Sequence, residues 1–527
     1  VRQRRGGSSW QITVDRVHDL QQMAVTSIGG AAVSEVEIEV RRWRPPRPGW
    51  LGAMRMPGVS SLSVQPTRGG VEVRVVMLEP TDLGLLLAGL VRLLRPVPRD
   101  EGSALTAVPG LPVQAAVLAG ALRDAVLPGE QRDAHVRRAD VLLVAESMLE
   151  QAADVERAVT VEVGQVHWRR DGRAADVCVD PSVHRPVGRR STVEGVVATA
   201  STEGDRVHLV GPRTRIQIDG TLTAAHVSAV RELDAVVGPL TDVVARQLNA
   251  CGVLTAATAA ELPDPADPLA WQAAAVHERR HALRQYGPSA ALADWPTVSV
   301  LLVTHRMDHL DHAMRQLARL AYPDLEIVIG AHGDRVDGAR VWELAQDLPH
   351  ATTVVAIDGR RTLGEALQEC SSRAQGALVT KMDDDDHYGA EHIWDLVLAR
   401  QYSGAEVVGK ALDWIHVESA DVTAFRPVYA AEKYATFVAG GTILISRGDL
   451  ASVGGWRPVP KSVDRALLDR VLADGGLVYR THGLGYVYVR RGEGHTASVR
   501  DEHFLTKTTA TVPGLVRHPC FGTEREA

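Results

Sequence analysis

The stretch "VSVLLVTHRMDHLDHAMRQLARLAYPDLEIVIG", residues 298–330, decides the fold. Val298–Val303, apolar but for Ser299, is a run of the kind a strand shows when both faces of a parallel sheet are covered. Leu310, Ala313, Met314, Leu317 and Leu320 then recur at helical spacing, and Pro323 ends the helix. A second run, Leu325–Gly330, apolar but for Glu326, closes a strand–helix–strand unit. The rhythm continues: "GARVWELAQDL" (338–348) predicts a helix, "TTVVAI" (352–357) a strand, "TLGEALQECSSRA" (362–374) a helix and "ALVTKM" (377–382) a strand. Four strands with three intervening helices predict a doubly wound α/β sheet. Ligands of such sheets bind at the carboxyl ends of the strands.

That edge carries the most unusual residues in the chain. Asp383, Asp384, Asp385 and Asp386 follow the fourth strand directly, ahead of His387-Tyr388-Gly389. Adjacent carboxylates repel, more so beside a low-dielectric core. Hard oxygen ligands suit magnesium or manganese, which share their coordination sphere with phosphates. A divalent ion there would relieve the repulsion and dock a diphosphate, so the motif points to chemistry on a nucleotide-diphosphate conjugate. The bland alternative is an acidic surface turn, and the position after a buried strand weighs against it.

Composition sets the outer bounds. The 527 residues are 45% hydrophobic and 23% charged, which is ordinary for two or three globular domains. A formal net charge of -7 argues against nucleic acid as partner, although Arg2, Arg4, Arg5, Arg41, Arg42 and Arg44 form a local basic surface. Four dispersed cysteines contain no CxxC pair, which suits a reducing cytoplasm and neither a zinc site nor a disulfide framework. The apolar run at 83–94 is too short to span a bilayer and no signal peptide opens the chain, so a cytoplasmic location is expected. Only five of the 58 basic residues are lysine, a bias expected of a GC-rich bacterial genome.

"PDPADPLAW" (263–271), the helical "AWQAAAVHERRHALRQYG" (270–287) and Asp294-Trp295-Pro296 mark a domain boundary. The expected domains are 1–290, 296–505 and a tail at 506–527. In the first, "WQITVD", "EVEIEVRRW" and "GVEVRVVML" predict strands and "GLPVQAAVLAGALRDAV" a helix. "ADVLLVAES" predicts a strand entering a helix, and "TVEGVVATAS" and "TDVVARQLNACGVLTA" continue an α/β rhythm. Neither GxGxxG nor GxxxxGK[ST] is present.

The 298–330 stretch, with "LGEALQECSSRAQGALVTKMDDDDHYGAEHIWDLV" and the later "FVAGGTILISRGDLASVGGW" and "SVDRALLDRVLADGGLVYRTHGLGYVYVRRGEGHT", resembles a family 2 glycosyltransferase of the GT-A fold over roughly 200 residues in the right order. The resemblance implies a hexosyltransferase-type enzyme using a nucleotide-diphospho-sugar donor, Mn2+ or Mg2+, and a glycan, lipid-linked or small-molecule acceptor. Cell-surface glycan synthesis and peripheral membrane contact stay open. By the same resemblance Asp383 and Asp385 are the ends of a DxD motif and metal ligands, with His495 completing the metal site. Asp384 faces ribose or phosphate, and Asp386 braces the loop. Thr304 and Arg306 line the nucleotide pocket, where His332 or Asp334 stands in for the family's base-holding acid. Asp464 is the general base of an inverting transfer, and Val463 replaces the acid that usually precedes it. His387 and His482 rival His495, and one of Arg490 and Arg491 would neutralise the diphosphate. Gly440-Gly441 admits a sugar ring or relieves local crowding.

The first half, through "ADVLLVAESML", "DVCVDPSVHRPVG" and "LTDVVARQLNACGVLTA", resembles a degenerate C-terminal lobe of a GT-B glycosyltransferase. It lacks the glutamates that grip a nucleotide ribose, so a scaffold or acceptor platform is expected. Two other readings compete. A sugar-phosphate nucleotidyltransferase needs a glycine-rich loop after the first strand, where this chain has "THRMDH". A non-catalytic cation- or sugar-binding module has no use for a base at Asp464.

Overall fold

The computed structural model describes residues 2–6, 8–26, 32–43, 59–94, 105–107, 141–145, 158–162, 165–170, 173–174, 178–181, 183–190, 192–287, 295–491 and 501–523. They fall into two compact units that change over at Trp295–Pro296, with a short return at Gln401–Gly404 grouped with the first.

The first unit is α/β and contains three five-stranded sheets among the described residues. The expected strands occur at Ser9–Val14, Ala32–Val40 and Val71–Asp82. In the third sheet Val197–Glu203, Arg206–Val210 and Arg215–Asp219 form an antiparallel meander. Ala235–Val237, the helix Asp242–Ala250 and Leu254–Ala256 add a parallel strand–helix–strand unit to it. The expected helix at 110–126 lies outside the described residues. No helix among the described residues is long and apolar enough to cross a membrane.

The second unit opens on β1 (Val298–Thr304), α1 (Leu310–Ala318), β2 (Leu325–His332), α2 (Gly338–Ala345), β3 (Ala351–Ile357), α3 (Leu363–Arg373) and β4 (Leu378–Met382). It continues with β5 (His387–Tyr388), α4 (His392–Ser403), β6 (Val407–Lys410), β7 (Trp414–Val417), β8 (Val422–Phe425), β9 (Lys433–Tyr434) and β10 (Leu444–Ser446). It ends on α5 (Arg447–Ser452), α6 (Val463–Ala473), β11 (Val478–Thr481), β12 (Tyr486–Arg490), α7 (Asp501–Leu505) and β13 (Ala510–Pro513).

β1 to β4 pair in parallel in the order β3-β2-β1-β4. The 298–382 pattern thus folds as a parallel sheet. Leu301 and Val328 pack with Ala366, Leu367 and Cys370 of α3, while Val300, Leu302 and Ile327 are equally buried and alternate to the opposite face. Both faces are therefore covered. The sheet then departs from the simple pattern, because β10 inserts antiparallel between β4 and β6 before β11 and β9 follow. A second sheet runs β5-β12-β7-β8-β13.

Two buried charge sites hold the unit's interior. Lys410, wholly buried at the end of β6, donates to Asp395 Oδ2 of α4 at 2.6 Å and to the Leu484 carbonyl at 2.6 Å. His482 Nε2 lies 3.5 Å from Asp395 Oδ1. Asp413, between β6 and β7, is buried with one carboxylate oxygen unpartnered among the described residues. Burial pushes its carboxyl up to about 7, against Arg480 and the Gly483 backbone and with Glu432. A folded-state value above the ordinary 3.8 means that the fold favours the neutral acid. Its contribution to stability therefore falls as pH rises from about 4 to about 7. Asp413→Asn is expected to flatten that part of the melting temperature–pH curve and to stabilise the protein at pH 8 by ~2 kcal/mol. Calorimetric melting of both proteins from pH 4 to pH 8 checks this, and parallel curves would count against it.

Candidate active site

The acidic loop leaves the carboxyl end of β4, and each of its four aspartates is met by protein groups, with Arg306 shared by Asp384 and Asp385. Lys381, the penultimate residue of β4, has a side chain only 5% exposed, too buried to keep its charge without counter-ions. Its ammonium lies 2.8 Å from Asp383 Oδ1 and 3.2 Å from Asp464 Oδ1. Burial alone would lower the lysine's pKa, but the two carboxylates hold it above the usual lysine range. Asp384 accepts from Thr304 Oγ1 at 2.6 Å and pairs closely with the Arg306 guanidinium. Although buried, it is held well below the usual carboxylate range by His309, Arg306 and Thr304. Asp385 Oδ2 lies 3.0 Å from Arg306 Nη2. Asp386 turns inward, where it accepts from Tyr486 Oη at 2.6 Å and Val489 N at 2.9 Å. Burial, with Asp385 and Asp383 nearby, raises its pKa strongly. It pins the loop to β12.

Much of the repulsion that a divalent ion was expected to relieve is thus already met by Lys381, Arg306 and hydrogen-bond donors. Each of these groups lies outside the four-residue run.

The antiparallel insertion of β10 brings a second segment to the loop, and Gly440 of that segment lies against Asp464 of α6. Because β10 runs against β4, the turn before β10, Gly440–Thr442, lies beside the end of β4. Lys381 N donates to the Ile443 carbonyl at 3.2 Å. Tyr388 Oη accepts from Asp383 N at 2.9 Å and donates to the Gly441 carbonyl at 3.0 Å, joining loop to turn. Asp464 stands in the first turn of α6, behind Ser462 at φ +57 with no side-chain cap. Such a conformation is costly for a serine and concentrates at functional sites.

The glycine pair makes room for carboxylates. A Cβ on Gly440 would collide with Asp464 Oδ2, and one on Gly441 would lie 2.7 Å from both Asp383 Oδ2 and Tyr388 Oη. Gly441→Ala is expected to displace Asp383, break the Tyr388 link and cost ~1–3 kcal/mol, read by urea unfolding. A change under ~0.5 kcal/mol would show that the turn yields instead.

The other expected site residues distribute unevenly. Thr304 is fully buried with its hydroxyl on Asp384, so it shapes the loop from beneath. Arg306 faces the same loop. His332 Nε2 contacts the Arg361 carbonyl at 2.9 Å, and Asp334 is exposed beyond the end of β2. His495 lies outside the described residues. Of its rivals, His387 is pushed down to about 3 by burial and by His312, whose ring stands 4.7 Å away. His482 belongs to the Lys410–Asp395 cluster. Arg490 pairs with Asp501 at 2.9 Å, while Arg491 lies against the His309 ring and pairs with Glu418 at 3.2 Å.

His309, Asp384 and Asp385 each offer a ligand atom within 4.8 Å of the others, and this imidazole-plus-carboxylate set fits a divalent ion. His309 was missed in the sequence, where it reads as part of the α1 pattern. It sits instead in a 3-10 turn, Met307–His309, that precedes the helix.

No protein-family model matches the sequence, and no curated protein matches it. Solved structures that match include residues 1–349 of S. aureus TarS in complex with UDP-GlcNAc, at 13% identity and a TM-score of 0.31, covering 39% of this chain and 61% of that one. Mannosyltransferase PcManGT from Pyrobaculum calidifontis, in complex with GDP-Man and Mn2+, matches at 18% identity and a TM-score of 0.29, covering 37% of this chain and 57% of that one. The chain thus spans about three-fifths of the length of these two.

Proposed function

We propose that the second unit is a nucleotide-sugar glycosyltransferase, metal-dependent and inverting, with residues 296–505 as its catalytic domain. One observation carries the reading: the buried Lys381 ammonium bridges Asp383 of the acidic loop and Asp464 at the start of α6. A lone acid far away in sequence is thereby brought to the carboxyl end of a parallel sheet, where substrates bind.

In this reading Asp464, part exposed, takes the proton of an acceptor hydroxyl. The acceptor oxygen bonds to the anomeric carbon from the face opposite the diphosphate. The carbon–oxygen bond to phosphate breaks and its electron pair leaves with the nucleotide, which inverts the centre. Asp385, Asp384 and His309 would hold a magnesium or manganese ion, which when bound supplies Lewis-acid stabilisation of the leaving diphosphate. Arg491 stands beside His309 as a further cation for phosphate. His332 and Asp334, at the end of β2, would meet the base. The first unit, residues 1–290, would act as a GT-B-derived scaffold or acceptor platform.

The non-catalytic reading has one point in its favour, since Arg306 and Lys381 already neutralise much of the acidic loop. Thermal shift with a panel of UDP- and GDP-sugars and Mn2+, on wild type and Asp385→Ala in parallel, separates the two. A sugar-dependent shift of several degrees in wild type alone is expected. Equal shifts in both proteins, or none in either, would remove the transferase reading.

A further inference from the structure

The two carboxylates best placed for a divalent ion are also the two that one arginine holds. Arg306 pairs closely with Asp384 Oδ1, and its Nη2 lies 3.0 Å from Asp385 Oδ2. Asp384 also accepts from the Thr304 hydroxyl at 2.6 Å, a bond that does not involve the guanidinium. For Asp385, Arg306 is the one ion-paired side chain among the described residues. A guanidinium and a divalent ion cannot share the same carboxylate oxygens, because like charges at such separations repel strongly. Arg306 has somewhere to go: its side chain is 23% exposed, against 4% for Asp384. Its backbone is anchored separately, with its N–H donating to Thr304 Oγ1 at 3.2 Å, so the side chain can swing while the loop stays in place.

Building on the transferase reading above, we propose that Arg306 is a resident counter-cation, a latch that a divalent ion must displace from Asp385 and that then turns to the phosphates of the donor. Without the ion the latch keeps the acidic loop compensated and folded. Ion and diphosphate then bind with positive coupling, because the ion frees the guanidinium and the diphosphate gives it a new partner. A planar, permanently charged fork suits both positions, since it matches carboxylate and phosphate equally.

The test is Mn2+ titration of the full chain followed by electron paramagnetic resonance, with and without pyrophosphate, on wild type, Arg306→Gln, Arg306→Lys and Asp385→Asn. Arg306→Gln is expected to bind Mn2+ alone about tenfold tighter than wild type, and Asp385→Asn to lose the site. Pyrophosphate should tighten Mn2+ binding in wild type several-fold more than in Arg306→Gln. Circular dichroism checks folding. Should Arg306→Gln unfold, Arg306→Lys carries the test, because it keeps a charge for Asp384 but cannot span both carboxylates, and an intermediate Mn2+ affinity is expected. Wild-type Mn2+ binding that depends on Asp385 but is equal or weaker in Arg306→Gln overturns the latch and leaves the transferase reading intact. Absence of Mn2+ binding in every variant also overturns it, and the sugar-nucleotide thermal shifts then judge the transferase reading separately.

Discussion

Asparagine in place of Asp464 is expected to lower sugar transfer by about a hundred- to ten-thousandfold, the usual contribution of a positioned general base. The change is nearly isosteric. Asp464 lies in the first turn of α6, whose core anchors, Val463, Leu467 and Leu468, are untouched. Lys381 keeps its 2.8 Å partner in Asp383, so the donor side of the site retains its compensation. Nucleotide affinity, measured by calorimetry with UDP or GDP and Mn2+, should therefore stay within about threefold of wild type while turnover collapses. The assay is nucleotide release with whichever donor the thermal-shift panel selects. Near wild-type turnover would falsify the assignment of the base. Parallel loss of binding would mean that Asp464 serves mainly to hold Lys381.

Replacing Lys410 by methionine is expected to destabilise the second unit by ~3–5 kcal/mol, because it removes the counter-charge that sits directly against the buried Asp395 carboxylate. Lys410 and Asp395 are both essentially fully buried at 2.6 Å, and the lysine also satisfies the Leu484 carbonyl ahead of β12. His482, 3.5 Å from the other Asp395 oxygen, is one neighbour that can respond. The double variant Lys410→Met/Asp395→Leu should recover most of the loss, since well-packed apolar groups replace a buried ion pair at little net cost. Urea unfolding of the wild type, both single variants and the double variant reads the coupling directly. A single-variant loss below ~1 kcal/mol, or a double variant no better than the singles, would show that the cluster does not organise this part of the core.

The site was legible in part. The DDDD run stands out because its composition is improbable next to a buried strand. Its place at a sheet edge follows once β1 to β4 are parallel. Asp464 came from resemblance, since one acid at a helix start is chemically unremarkable. Lys381 and His309 were not singled out, for different reasons. Lys381 reads as one more residue of a strand, and its role appears only when α6 brings Asp464 to it. His309 falls within a helical pattern and is diverted into a tight turn. The glycine pair is plain in the sequence, but its reason, the bulk of Asp383 and Asp464, lies in residues remote from it along the chain.

By itself the sequence determined what local periodicity can express: the strands and helices from Val298 to Met382, their parallel order, and therefore the edge where the acidic loop emerges. Burial of an apolar run on both faces, or of one stripe on a helix, is a preference the chain states residue by residue. The tertiary structure alone decided which charges meet. β10 enters the sheet antiparallel to β4, and that pairing sets the Gly440–Thr442 turn against the acidic loop. Asp383 and Asp464 come to share Lys381, while Arg306 crosses to Asp384 and Asp385. Ion pairs of this kind depend on distances of a few ångströms between segments far apart in the chain, and no pattern along one strand or helix encodes them.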